Sequence, residues 1–426
     1  MTTFLKFALS VALAVGLAGA ALANDTPVGA SDMFAKKRDL VFQVRVVDEA
    51  SGDKSSIGSG FQVSPSGDIA TNFHVVSSFV HEPGKSRLEV LDHSGQTLAA
   101  TLVAIDVIHD LAVVRASVAT EGYLTLQSRT LTKGERIFSM GNPQDLGMTI
   151  IEGNFNGPVK LTRLEKLLFS GSLNPGMSGG PAIDRFGKVV GINVSKGGEQ
   201  LSFLVPAQAL GRLLAKARLV TTPPSPDVFI AQIGAALVDD QSDYLAALAN
   251  AEWEVDTFGD LVLPERIAPW IKCWGRTVQN EKVRFDSVRQ YCQSQDSIYI
   301  KSGLSVGGVG YDYIWLTSDD LNRWQFYHAV EGRFTHRSQY NAFHERDVTK
   351  YDCHTEFLVL DDSNWKASTC VRAYKKYPEL IDLSLLLASL SHRNKAAVIK
   401  FSVSGASGDN AFALVRRMLR TVQWRD

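Results

Sequence analysis

The chain has 426 residues, enough for two or three domains, and its 45% hydrophobic content is ordinary for globular protein. With 44 Lys and Arg against 45 Asp and Glu, the formal net charge is −1. So balanced a charge argues against a nucleic-acid or membrane-surface role.

Residues 1–23 read as a secretory signal. Lys6 gives a weakly positive start, Phe7 to Ala20 is an apolar core, and Ala21–Leu22–Ala23 fits the small-x-small cleavage rule. That core is shorter than the roughly 20 residues a membrane span needs, which favours cleavage over an anchor. No stable membrane insertion is then expected. Residues 24–36 are expected to be a flexible segment, with a short helix open to Met33–Arg38.

Short strands recur from there: Leu40–Val47, Gly60–Val63, Asp68–Thr71, Leu88–Leu91, Thr97–Ile105 and Leu111–Arg115. A second set follows: Ile137–Met140, Thr149–Phe155, Val159–Leu161, Leu167–Ser170, Ala182–Ile183, Val189–Val194 and Ser202–Val205. Evenly spaced short strands with turn signals predict an all-β region of two barrels over 37–218. Leu210, Leu213, Leu214 and Ala217 have helical spacing, so Ala207–Arg218 should close it. Residues 219–228, with Pro223, Pro224 and Pro226, read as a stiff linker.

Residues 229–426 read as an α+β domain. Helices are expected at Asp240–Glu254, Glu379–Leu390 and Asn410–Val422. Strands are expected at Ser297–Ile300, Tyr311–Leu316, Trp324–His328, Glu356–Leu360, Lys366–Ala373 and Ala396–Ser404. All four cysteines lie here, which in an exported chain implies disulfides. Three pairings are open, and the local pairs Cys273–Cys292 and Cys353–Cys370 are favoured. A zinc site is the rival, but no Cys-x-x-Cys spacing supports it. No metal or cofactor is expected. Trp253, Trp270, Trp274, Trp315, Trp324 and Trp365 read as core residues in preference to a carbohydrate- or peptide-binding surface.

The chemistry sits in the first half. Asn174–Pro175–Gly176–Met177–Ser178–Gly179–Gly180–Pro181 holds one serine in a run of glycines before an apolar segment. In such a turn the backbone N–H groups of Gly176 and Ser178 can converge on one spot, as a tetrahedral oxyanion requires. Upstream lie Thr71–Asn72–Phe73–His74 and His109–Asp110–Leu111–Ala112. Serine needs a base, imidazole titrates near neutrality, and a carboxylate can fix the imidazole's tautomer. His74, Asp110 and Ser178 are therefore the candidate catalytic residues. Asp106 is a rival acid, and His81, His93 and His109 are expected at the surface.

This order of motifs resembles the HtrA (Deg) type of chymotrypsin-fold serine protease. Gly58–Ser59–Gly60–Phe61, Gly141–Asn142–Pro143 and Gly191–Ile192–Asn193 also match, in sequence, from about Val41 to Leu214. The resemblance implies two six-stranded chymotrypsin-like barrels with the site between them, and it selects Asp110 over Asp106. It also implies that Leu173 borders the pocket for the residue before the cut. Asn193, Val194 and Ser195 would pair with substrate backbone. No PDZ signature follows the protease region. Met177 departs from the family, whose members usually carry Asn or Asp before the serine. It removes a polar brace from the loop.

The expected function is therefore an exported serine endopeptidase, periplasmic or secreted, acting on unfolded or flexible polypeptide. The alternative is a catalytically weak binding or scaffold protein of the cell envelope. An envelope partner would dock through the C-terminal domain, and no nucleic-acid partner is expected.

Overall fold

The structure is a computed structural model that describes residues 29–118, 122–198, 200–278, 284–336 and 345–425. The expected signal segment lies outside the described residues. Helix α1 (Ala30–Lys37) occupies most of the segment expected to be flexible, and its Met33 is 3% exposed.

The first barrel is closed by β1 (Val41–Asp48), β2 (Lys54–Gln62), β3 (Asp68–Thr71), β4 (Ser86–Leu91), β5 (Thr97–Asp106) and β6 (Leu111–Ala116), in the order β1-β2-β3-β6-β5-β4. Helix α2 (Phe73–His81), unassigned from sequence, leaves β3 and plugs one end. The second barrel comprises β7 (Arg136–Gly141), β8 (Thr149–Pro158), β9 (Leu167–Phe169), β10 (Pro181–Asp184), β11 (Val189–Gly198) and β12 (Leu201–Pro206). It closes as β10-β11-β12-β9-β8-β7. Both are six-stranded, antiparallel and chymotrypsin-like, as expected. The strand expected at Val159–Leu161 does not form: the chain turns there, with Leu161 at φ 57°.

Strand alternation builds this core in layers. On β6, Ala112 and Val114 face the interior of the first barrel with Val44, Ile69 and Val90. Leu111 and Val113 point the other way, into a cluster between the barrels. Helix α3 (Ala207–Ala217) covers that cluster with Leu210, Leu213 and Leu214. Ile137, Phe155, Phe169 and Leu204 fill the second barrel.

The linker reading holds only briefly, because helix α4 (Pro226–Asn250) begins at the last proline. Pro226 is tolerated there because a first-turn residue needs no N–H donor. The next strands are β13 (Glu254–Phe258), β14 (Leu261–Arg266), β15 (Ile271–Val278), β16 (Asp286–Ser294), β17 (Ile298–Lys301), β18 (Leu304–Val306) and β19 (Val309–Thr317). Helix α5 (Arg323–Glu331), β20 (Asp352–Leu360), β21 (Ser363–Tyr374), β22 (Tyr377–Ser389), β23 (Lys395–Ala406), α6 (Gly408–Thr421) and β24 (Gln423–Trp424) complete the chain. A seven-stranded sheet, β15-β16-β19-β23-β22-β21-β20, dominates this half. Among the described residues no helix is long and apolar enough to cross a membrane.

Two expectations here were reversed. Glu379–Leu390 lies almost wholly in strand β22, because the sheet is covered on both faces. Leu383, Leu385 and Leu387 pack with α6, while Leu386 and Ala388 pack with Phe326 and Val330 of α5. A strand buried on both faces becomes a continuous apolar run, which periodicity cannot separate from helix. Trp324–His328 is helix α5, started by a capping box between Asn322 and Gln325. Trp253, Trp315 and Trp365 are buried, whereas Trp274 is 38% and Trp324 84% exposed.

Cys273 faces Cys292 across β15–β16, and Cys353 faces Cys370 across β20–β21. Each pair is disulfide-bonded, with Cα atoms 4.0 Å apart. Antiparallel register brings directly opposed residues this close.

The two halves share one core. Phe229, Ile233 and Leu237 of α4, and Ile298 and Ile300 of β17, join Phe73, Val76 and Val80 of α2 in the cluster that fills the first barrel. Arg163 pairs with Asp240 at 2.7 Å, and Lys166 with Asp296 at 2.8 Å. Each buried apolar side chain contributes about 1.5–3 kcal/mol. A chain ending at Val220 would strip several from this cluster. We expect it to melt well below the full-length protein and to bind a hydrophobic dye, and equal melting temperatures would refute the shared core.

Candidate active site

His74 is the second residue of α2, at the point where β3 gives way to helix. Asp110 ends the turn between β5 and β6 with φ 55°. A short polar side chain tolerates that left-handed conformation better than most. The Asp110 carbonyl accepts from Asn72 Nδ2 at 2.7 Å and from the Phe73 N–H at 3.1 Å. Its carboxylate then grips His74 twice. Oδ1 accepts the His74 backbone N–H at 2.8 Å, and Oδ2 lies 2.6 Å from Nδ1. A carboxylate only accepts, so Nδ1 carries the proton and Nε2 is left as the base in the neutral ring. Burial pushes the His74 pKa down, but the charge and hydrogen bond of Asp110 outweigh it and hold it above the ordinary value.

Ser178 sits on the second barrel, in the turn before β10. Gly176 has φ 94°, and a Cβ there would lie 2.5 Å from the Asn142 carbonyl oxygen. Gly179 has φ 86°, and its Cβ would lie 2.2 Å from the Ser59 carbonyl oxygen. Only glycine fits either position. The Pro175 carbonyl accepts the Gln144 N–H at 2.9 Å. In a trans peptide the N–H points opposite the C=O, so this bond turns the Gly176 N–H away from Gln144. Among the described residues, no hydrogen bond uses the N–H of Gly176 or Ser178.

Ser59 of β2 joins the two barrels here. Its N–H donates to the Ser178 carbonyl at 2.7 Å, and its hydroxyl donates to the Gly176 carbonyl at 2.7 Å. Nothing singled out Ser59 in the sequence beyond its place in the Gly-Ser-Gly motif. Gln144 carried no signal at all.

The remaining expected residues fall as follows. Leu173 is 4% exposed and packs with Met177, Phe169 and Leu204. Met177 is fully buried in the same cluster, so packing takes the place of the expected polar brace. Asn193 is fully buried and supports the turn around Ser178. Its N–H donates to Gly180 O and its carbonyl accepts from Gly179 N, both at 2.9 Å. The Asn193 side chain donates to Met140 O and Met177 O and accepts from Ser139. Val194 is skipped in the β11–β12 register, and its carbonyl accepts the Ser178 hydroxyl at 3.3 Å. Among the described residues that hydroxyl has no hydrogen bond to His74. Ser195 pairs with Phe203 through the backbone.

Asp106, the rival acid, is paired with His109 at 2.8 Å. His81 is not a surface residue. It is 6% exposed, contacts Ser77 O and the Tyr377 hydroxyl at 2.9 Å each, and burial pushes its pKa to about 4. The sequence could not show this, because Tyr377 lies 296 residues away. Among the described residues no group of three or more His, Cys, Asp or Glu could hold a metal ion.

Residues 58–192 match the family model of the trypsin-like peptidase domain. Serine protease HTRA3 of Homo sapiens is 32% identical over 171 residues, covering 38% of this chain and 38% of that protein. The "Probable periplasmic serine endoprotease DegP-like" of Chlamydia pneumoniae is 32% identical over 168 residues, covering 37% of this chain and 33% of that protein. Among solved structures, the serine endoprotease from Yersinia pestis aligns with 24% identity and a TM-score of 0.40, over 45% of this chain and 68% of that one. The chain thus spans well under half the length of these curated relatives. Residues 58–192 are a trypsin-like peptidase domain related to those of the HtrA and DegP-like serine proteases.

Proposed function

We propose that the protein is an exported serine endopeptidase using His74, Asp110 and Ser178. The observation that carries this reading is the bidentate Asp110 grip on His74, combined with free N–H groups at Gly176 and Ser178. In this mechanism Ser178 Oγ leaves the Val194 carbonyl, gives its proton to His74 Nε2 and attacks the scissile carbonyl. The Gly176 and Ser178 N–H groups receive the oxyanion. His74 returns the proton to the leaving amine, and water then releases the acyl group by the same route. Export is supported by the apolar 7–20 segment and its Ala-Leu-Ala site, and by the periplasmic naming of the DegP-like relative. The substrate class we assign is unfolded or flexible polypeptide. A catalytically weak binding protein is the second reading, favoured only by the Ser178 hydroxyl resting on Val194.

Ser178→Ala should abolish both peptide hydrolysis and fluorophosphonate labelling while the fold survives. His74→Ala should cost on the order of 10⁴-fold or more in kcat, since such groups act as a unit. Catalysis needs neutral His74, whose pKa is raised. Activity should therefore fall as pH drops through a value above about 6.5. Wild-type protein that neither labels nor hydrolyses would establish the binding-protein reading instead.

Leu173 lies in an apolar cluster, and its neighbour Ser172 is not an acid. Cleavage should follow small or medium aliphatic residues such as Val, Ala or Ile. A peptide library cut chiefly after Arg or Lys would contradict this.

A further inference from the structure

A tyrosine from the C-terminal half stands beside the candidate base. Strand β17 pairs with β18 in a short hairpin, and alternation sends Ile298 and Ile300 into the shared core. Tyr299, between them, meets α2. Its ring lies 5.9 Å from the His74 ring at 75°, an edge-to-face contact. The Tyr299 hydroxyl lies 3.3 Å from Ser77 Oγ. Ser77 is one turn beyond His74 and donates to the His74 carbonyl at 3.2 Å. With that proton committed, the Tyr299 O–H donates to Ser77, giving a chain from Tyr299 through Ser77 to His74.

We propose that Tyr299 is a positioning residue for His74, so that the C-terminal half completes the catalytic site. The inference rests on the serine-protease reading above. Asp110 fixes Nδ1 in the ring plane, but one hydrogen-bonding edge leaves the imidazole free to tilt about it. The Tyr299 ring removes that freedom and keeps water from one side. Its seat is firm, because the flanking isoleucines are buried against Phe73, Val76 and Val80 of the same helix. Among the described residues, the titratable groups reaching His74 are Asp110 from the β5–β6 turn and Tyr299 from β17. Burial raises the Tyr299 pKa above its ordinary value, so it stays neutral across the assay range.

The test compares wild type, Tyr299→Ala, Tyr299→Phe and Ser77→Ala in the full-length protein. Rates are normalised to titrated active sites, and folding is checked by circular dichroism. Tyr299→Ala should lower kcat/KM and the fluorophosphonate rate roughly ten- to hundredfold, chiefly in kcat, because a small misplacement of a reacting group is costly. Its acid limb should move to higher pH, since water then reaches the imidazolium from the side the ring had covered. Tyr299→Phe keeps the ring and should stay within a few-fold of wild type. Ser77→Ala should fall between them. A Tyr299→Ala rate and pH profile matching wild type per active site would overturn the inference. So would losses that track only the folded fraction. The His74 imidazole titration, followed by NMR, reads the same contact without turnover. An unshifted titration in Tyr299→Ala refutes the inference even in an inactive protein, whereas a shifted one with no wild-type labelling refutes only the protease reading.

Discussion

The site depends on the join that Ser59 makes between the barrels. Its N–H holds the Ser178 carbonyl, and its hydroxyl holds the Gly176 carbonyl while accepting the Asn142 N–H at 2.9 Å. Three bonds from one small residue thus tie β2 of the first barrel to the turn around Ser178 and to the end of β7. His74 and Ser178 stand beside separate closed barrels, and among the described residues no strand pairing connects those barrels. Gln43 and Lys54 add side-chain contacts to Asp145 across the same seam. Ser59 is fully buried, so these bonds are shielded from water.

A second constraint acts from outside the peptidase domain. The interior of the first barrel is not sealed by its own strands, and α2 closes one end with Phe73, Val76 and Val80. Beyond α2, helix α4 and the β17–β18 hairpin bury their apolar side chains against the same cluster. The C-terminal half therefore reaches the helix that bears His74 by ordinary core packing. Polar contacts fix the alignment: Lys376 Nζ donates to His81 O at 2.9 Å, and His81 meets the Tyr377 hydroxyl. Burial keeps His81 neutral near pH 7, so this contact places no charge in the core.

The C-terminal sheet is stabilised differently. Each disulfide joins residues already opposed in adjacent strands, so it secures an edge of the sheet without setting its register. Register follows instead from two-sided burial: shifting β22 by one residue would exchange the leucines facing α6 for those facing α5. Buried charge is also met locally. Arg372 and Asp382 pair at 2.8 Å across β21 and β22, and Tyr374 bonds the same carboxylate.

The sequence by itself determined the local chemistry: the glycine turn around Ser178, the order of His74, Asp110 and Ser178, and most barrel strands; it favoured the local pairing of the four cysteines among three. These were legible because each depends on neighbours in the chain, through left-handed turns that demand glycine or alternation that marks a half-buried strand. Only the tertiary structure decided features set by distant partners. Strand β22 looked helical until sheet and helices covered both its faces. His81 looked exposed until Tyr377 was placed beside it. Asn193 looked like a substrate-binding residue, but its hydrogen bonds close on the turns at Met177 and Gly180. The first half of α4 was hidden because its apolar face answers the first barrel. Tyr299 has no motif, since contact with His74 across 225 positions of chain arises from a hairpin docking on a helix. Pattern reports burial against water, and it is silent on which surface does the burying.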